Sequence, residues 1–122
     1  MSSLQESLRR FLTVEGVRTA AVIDIATGMI VRSVGKPDPD LAATAARVAD
    51  EARAVRSALG AAGTADELIE ITATTGSRLH VSRMLRHSPS DGLLLFVDLE
   101  RTKSNLGLAV LQVGQFAPAV LA

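Results

Sequence analysis

The sequence predicts an α+β sandwich: a five-stranded antiparallel sheet, one long helix on one face, and two helices from the chain ends on the other. Three observations predict it. Apolar residues recur with helical spacing in three stretches and alternate or run on in five others. The resulting order is α-β-β-α-β-β-β-α. The links inside each group of strands are short, which requires antiparallel pairing. The 122 residues form one domain, 1–122, large enough to bury roughly two-thirds of the surface of the unfolded chain.

Helix 1 begins at Ser2 or Ser3. Ser3 and Glu6 have capping-box spacing, in which hydroxyl and carboxylate satisfy free backbone amides. Leu4, Leu8, Phe11 and Leu12 form its apolar stripe, Arg9 and Arg10 point away, and Gly16 is the natural stop. Strand 1 is Arg18 to Ile25. Ala26-Thr27-Gly28 makes a tight turn, since Gly28 accepts the positive φ that hairpins often need. Strand 2, Met29 to Val34, completes the hairpin. Gly35 to Asp40 is a loop with two prolines, ending in Asp38 or Asp40 as N-cap.

Helix 2 runs from about Asp40 to Leu59. Leu41, Ala45, Val48, Ala52, Val55 and Leu59 fall within about 40° of one direction at roughly 100° per residue. Ala42, Ala43, Ala46, Ala49 and Ala54 spread around the rest, between Arg47, Asp50, Glu51 and Arg53. Two readings stand side by side. Alanine is the best helix former, or the helix is covered twice, by its own sheet and by another body.

Gly60 to Thr64 is a loop. Strand 3, Glu67 to Thr74, carries Ile69, Ile71 and Ala73 on one face and Leu68, Glu70, Thr72 and Thr74 on the other. Thr75-Gly76-Ser77 turns into strand 4, Arg78 to Leu85. His87 to Gly92 is a turn-rich connection. Strand 5, Leu93 to Leu99, is apolar on both faces except at Asp98, the pattern of a central strand. Helix 3 starts at Ser104 or Asn105, with Leu106, Val110, Val113 and Ala117 as its stripe, and Pro118 ends or kinks it. The stretch Ser104–Ala122 has no charge. Its glycines, glutamines and proline make it a buried or interface helix rather than a span of roughly 20 apolar residues. A membrane-surface role is the alternative.

Composition narrows the function. Basic and acidic residues balance at 13 each, and the only aromatics are three Phe. Nucleic-acid binders need basic excess or stacking rings, so that class is excluded. With no cysteine, disulfides, thiolate metal sites and a Cys nucleophile are excluded. The opening Met1 to Ser7 lacks the basic segment and apolar run of a signal peptide, so a cytoplasmic protein is expected.

Catalytic patterns are missing. Gly60-x-x-Gly63 lacks the spacing and the following Lys-Ser/Thr of a phosphate loop. His80 and His87 are the only imidazoles and read as surface or edge residues, without the three or four ligands that a metal needs. Ser82, His80 and Asp98 could be written as a triad, but no strained nucleophile turn accompanies them. Glu67 and Glu70 place charge on a possible edge strand, where it discourages uncontrolled pairing. Arg47, Arg56, Arg83 and Arg86, with Arg53, read either as a docking surface for an acidic partner or as solvated arginines.

The order of the pieces resembles the Roadblock/LC7 family, including its bacterial branch. The matching segments are Val14-Glu15-Gly16-Val17, Ala20-Ala21-Val22-Ile23-Asp24 with the Gly28 turn, the Ala-rich helix ending at Leu59-Gly60, Leu68-Ile69-Glu70-Ile71, Leu93-Leu94-Leu95-Phe96-Val97, and Asn105-Leu106-Gly107-Leu108-Ala109. They cover nearly the whole chain. Ala26-Thr27-Gly28 departs from the pattern, which more often has an acidic residue before the glycine. The resemblance implies a homodimer joined through strand 3 with its two copies of helix 2 side by side. Ala42, Ala46, Ala49, Arg53, Leu68, Glu70 and Thr72 are its expected interface. It further implies a scaffold or regulator without catalytic groups or cofactor, partnered by a small Ras-like GTPase or, in some bacterial systems, associated with a sensor kinase. A ligand sensor holding a small molecule between layers is the second reading, and an enzyme of unrecognised type is the third.

Overall fold

In the computed structural model, residues 3–86 and 92–121 are described. Most of the expected connection from His87 to Gly92 therefore lies outside the described residues. The five strands are β1 (Val17–Asp24), β2 (Ile30–Gly35), β3 (Glu70–Thr74), β4 (Arg78–Met84) and β5 (Leu93–Glu100). The helices are α1 (Leu4–Arg9), α2 (Leu41–Ala61) and α3 (Leu106–Phe116). The strands form one sheet in the order β2-β1-β5-β4-β3, and every pair is antiparallel. The predicted α+β sandwich is the observed architecture.

Alternation along the central strands builds two apolar layers. Leu95, Val97 and Leu99 of β5 join Ala20 and Val22 of β1 and Val81 of β4 under Leu8, Phe11, Ala109 and Val113, from α1, the 3-10 turn after it, and α3. Leu94 and Phe96 face the other way, with Ala21, Ile23 and Met84, against Ala45, Val48, Ala49 and Ala52 of α2. Burying a side chain the size of Val48 or Leu94 stabilises by about 1.5–3 kcal/mol, so these layers dominate the fold energetics. Phe11 and Phe116 meet edge to face with centroids 5.7 Å apart, which ties α1's extension to α3.

The local signals mostly act as read. Ser3 and Glu6 form the reciprocal capping box, with Glu6 N–H donating to Ser3 Oγ at 3.1 Å. Asn105 caps α3 by accepting from Leu108 N–H at 3.0 Å. In the β1–β2 turn Asp24 Oδ1 accepts from the backbone of Ala26 at 2.9 Å and Thr27 at 3.3 Å, and Gly28 has φ +76°. α3 ends at Phe116, before Pro118, and passes into a 3-10 turn.

Four expectations need correction. β3 begins at Glu70 rather than Glu67, leaving Leu68 just before the strand. α2 continues through Gly60 to Ala61, because nothing there forces a break. Val55, expected in the buried stripe, is 37% exposed, whereas Ala49, expected on the far side, is fully buried. The helix is rolled by about 30° from the predicted direction at 100° per residue. The small side chains of Ala45, Ala49 and Ala52 permit that roll by letting α2 settle towards the β1–β2 hairpin. His80, finally, is neither a surface nor an edge residue: it is half-buried on β4, an interior strand.

Candidate functional site

β3 is a sheet edge whose outward backbone has no partner among the described residues. Met84 N–H donates to the Ile69 carbonyl at 2.9 Å, and Thr75 N–H donates to the Arg78 carbonyl at 2.9 Å. Antiparallel residues alternate between bonded and non-bonded pairs. With Ile71 opposite Ser82 and Ala73 opposite His80, the odd-numbered residues hold β3 to β4. Glu70, Thr72 and Thr74 therefore direct N–H and C=O away from the sheet. The opposite edge, β2, is broken by an irregularity between Val22 and Ile23, a device that blunts edges. Thus β3 offers the regular edge, and of the expected interface it carries Glu70 and Thr72, with Leu68 at its start.

The remaining expected interface residues lie on α2. Ala42 and Ala46 are exposed. Ala49 is not available to a partner in this conformation, being wholly buried against its own sheet. Arg53 binds the Ile25 and Ala26 carbonyls and Asp50, so it clamps the hairpin to the helix. On a helical wheel Ala42, Ala46 and Arg53 share the hairpin flank, while Thr44, Arg47, Glu51, Val55 and Ala58 make the opposite one.

The arginines expected to dock a partner do not converge on one surface. Arg56 and Arg86 line an open cleft of about 530 Å³ with Leu59, Leu68 and Met84. Arg83 lies across the sheet, against Gly114 of α3, and pairs with Glu70 at 3.4 Å. Arg86 pairs with Glu67 at 3.0 Å. The two edge carboxylates thus each have an arginine partner. Arg47 stands on the α2 side, bonded to Glu51 and to the His80 ring.

His80 and Asp98, grouped in the sequence with Ser82, belong instead to a polar group with Arg78 and Arg47 that the sequence reading missed. Asp98, 4% exposed, accepts from Arg78 at 2.6 Å, and its other oxygen is 3.2 Å from Nε2 of His80. Nδ1 of the same ring is 3.0 Å from Arg47. The available signal was parity: Arg78, His80 and Ser82 alternate onto one face of β4, and Asp98 is the single charge inside β5. Ser82 is one step along that face, opposite Phe96, so serine, imidazole and carboxylate do not line up as a triad. At the sheet's end Arg18 bonds Glu100 at 2.8 Å, and that guanidinium, followed by Lys103, holds the Glu100 carboxyl below its ordinary range. Among the described residues no three His, Asp or Glu side chains gather as a metal site would require. Among the same residues, no helix is long and apolar enough to cross a membrane. α3 nevertheless exposes Leu106, Leu108 and Leu111 by 43–57%.

No protein-family model matches the chain, and no curated protein matches it in sequence. Solved structures do match. A Roadblock/LC7 domain from Streptomyces avermitilis superposes with TM-score 0.80 at 16% identity, covering 98% of this chain and 95% of that one. The chain has the Roadblock/LC7 fold. The gliding protein MglB from Thermus thermophilus gives TM-score 0.78 at 23% identity, over 96% of this chain and 84% of its own. A further MglB structure, described as a tetrameric arrangement, gives 0.78 at 24% identity over the same shares. The resemblance found in the residues is therefore borne out at the level of the Roadblock/LC7 fold.

Proposed function

We propose that this protein is a non-catalytic interaction module that self-associates as a homodimer through β3 and α2 and docks a small Ras-like GTPase. The observation that carries the first half is the β3 edge, with the outward N–H and C=O groups of Glu70, Thr72 and Thr74 unpaired in the single chain. An antiparallel pairing of two copies centred on Thr72 sets Glu70 against Thr74 of the second copy, so no like charges confront one another across the seam. α2 then adds the flank with Thr44, Glu51, Val55 and Ala58, where an exposed valine one turn before Ala58 suits helix contact. Ala42 and Ala46 belong to this interface only if the partner helix also reaches the hairpin flank. The tetrameric arrangement of the MglB structure supports self-association as a habit of this fold.

The GTPase partner rests on the family resemblance. Arg56, half-buried, and Arg86, exposed, line the α2–β3 cleft and supply a surface for an acidic partner. Titration against small Ras-like GTPases loaded with GTP or GDP, following both binding and hydrolysis, tests it. Nucleotide-dependent binding, weakened when Arg56 and Arg86 become Ala, is the expected result. Absence of binding in either nucleotide state refutes the GTPase reading and turns the search to a kinase scaffold.

A further inference from the structure

The inner end of the polar group is a buried carboxylate, and its outer end is on the surface of α2. Asp98 Oδ2 is held by Arg78 at 2.6 Å. Oδ1 is buried without a hydrogen bond of its own, and Nε2 of His80 faces it at 3.2 Å. A bare buried carboxylate oxygen is costly, so the proton of neutral His80 belongs on Nε2. Nδ1 is then a lone-pair acceptor, and Arg47 donates to it across 3.0 Å. Guanidinium has donors only. The Nε2–H tautomer therefore accepts from Arg47 at Nδ1 and turns its N–H side towards Asp98 Oδ1, a close polar contact rather than a formed hydrogen bond. The Phe96 ring, edge-on to His80 at 5.1 Å between centroids, helps fix the imidazole plane.

We propose that His80 is a proton-operated latch that holds Arg47 down against the sheet when neutral and releases it when protonated. A second proton places N–H on Nδ1, donor against donor, and charge against charge. Arg47 must then leave, keeping only Glu51, its neighbour one helical turn on. The charged groups facing the ring are Asp98 from β5, Arg78 from its own strand, and Arg47 with Glu51 from α2. The adjoining strands contribute uncharged Thr19, opposite Asp98, and Ala73, opposite His80. Protonated His80 still faces the Asp98 carboxylate across 3.2 Å, charge against opposite charge, so the acid form keeps the sheet and changes the helix surface. The consequence for assembly rests on the proposed self-association: a freed Arg47 charges the α2 flank beside Val55, and the dimer weakens at acidic pH.

The latch itself is read without any partner, by 15N imidazole and arginine NMR on the full chain between pH 8 and 5, where imidazoles change charge. A His87→Gln variant assigns the His80 signals. The expected result is an Nε2–H tautomer at pH 8, with Arg47 guanidinium signals resolved from one another and merging as His80 protonates. An Nδ1–H tautomer, or Arg47 signals indifferent to His80, overturns the proposal. Arg47→Ala changes an exposed helix position and should leave the fold intact. It should change the ring-nitrogen signals of neutral His80 at pH 8, because Nδ1 loses its donor; unchanged ring signals also overturn the latch. Sedimentation at pH 8 and 5.5 then reads assembly. A parent dimer that weakens at pH 5.5 while Arg47→Ala does not supports the link. A parent that is monomeric at both values refutes the dimer, and the latch then stands or falls on the NMR titration alone.

Discussion

Thr72→Pro isolates the sheet edge from the rest of the fold. In β3 the bonds to β4 are made by odd-numbered residues, so the Thr72 N–H that proline removes points outward. The preceding Ile71 is already extended, the conformation that a following proline demands. In a dimer centred on Thr72, the two copies of this residue exchange two hydrogen bonds, out of about six along the seam. Each is worth about 0.5–1.5 kcal/mol net, so losing both costs about 1–3 kcal/mol before any steric effect of the ring. Dimerisation should weaken by about 5- to 150-fold. Sedimentation equilibrium across a concentration series measures this, and thermal melting of the monomer fraction checks the fold. An unchanged association constant would show that the β3 edge is not the seam. Collapse of the monomer fold would refute the assigned ladder parity, since an inward N–H would then have been lost.

Two further predictions concern the fold that presents these surfaces. Gly28→Ala places a side chain at φ +76° with its Cβ 3.1 Å from the Ala46 Cα; left-handed backbone costs about 1–2 kcal/mol for a residue with a Cβ, so the melting temperature should drop by about 3–8 °C, and an unchanged melt would mean that the hairpin does not press on α2. Glu100→Gln tests the Arg18 pair. A carboxyl whose folded pKa is lowered stabilises the fold above its ordinary value of 4.5, and that contribution is lost as pH falls through the lowered folded value. The variant should therefore be less stable than the parent at neutral pH and converge with it in acid; a gap that widens as pH falls below 4.5, or that persists once the carboxyl is protonated in the folded state, refutes the sign.

The fold was legible because its determinants are local or periodic. β5 could be assigned to the sheet centre from its continuous apolar run, and the β1–β2 hairpin from a single glycine between two apolar stretches. Ser3 and Asn105 announced helix starts by chemistry that acts within three residues. The errors fell where small residues leave the choice to packing. Ala45, Ala49 and Ala52 allow α2 to roll, and which alanine ends up inside depends on where the hairpin presses, which no window of helix 2 contains. The late start of β3 has the same origin: Glu67 and Leu68 have strand character, but they sit by the cleft beneath the end of α2, where the chain is not paired with β4.

The surface was less legible because an arginine declares its charge and hides its partner. Arg83 and Glu70 are thirteen residues apart and directly opposite across β3 and β4; Arg18 and Glu100 lie at opposite ends of the chain. Read singly, each arginine looks free to dock an acidic protein. Read in the fold, Arg53 clamps a hairpin, Arg83 covers Gly114 and neutralises an edge, and Arg47 bridges the helix surface to a buried carboxylate. Their roles are set by strand register, and register is a long-range property. Asp98 makes the point most directly. A lone charge in an apolar strand is expensive to bury, so its presence in β5 already required partners on the neighbouring strand. Parity on β4 nominates Arg78 and His80, and only the tertiary placement of α2 adds Arg47, turning a buried charge into a connection with the helix surface.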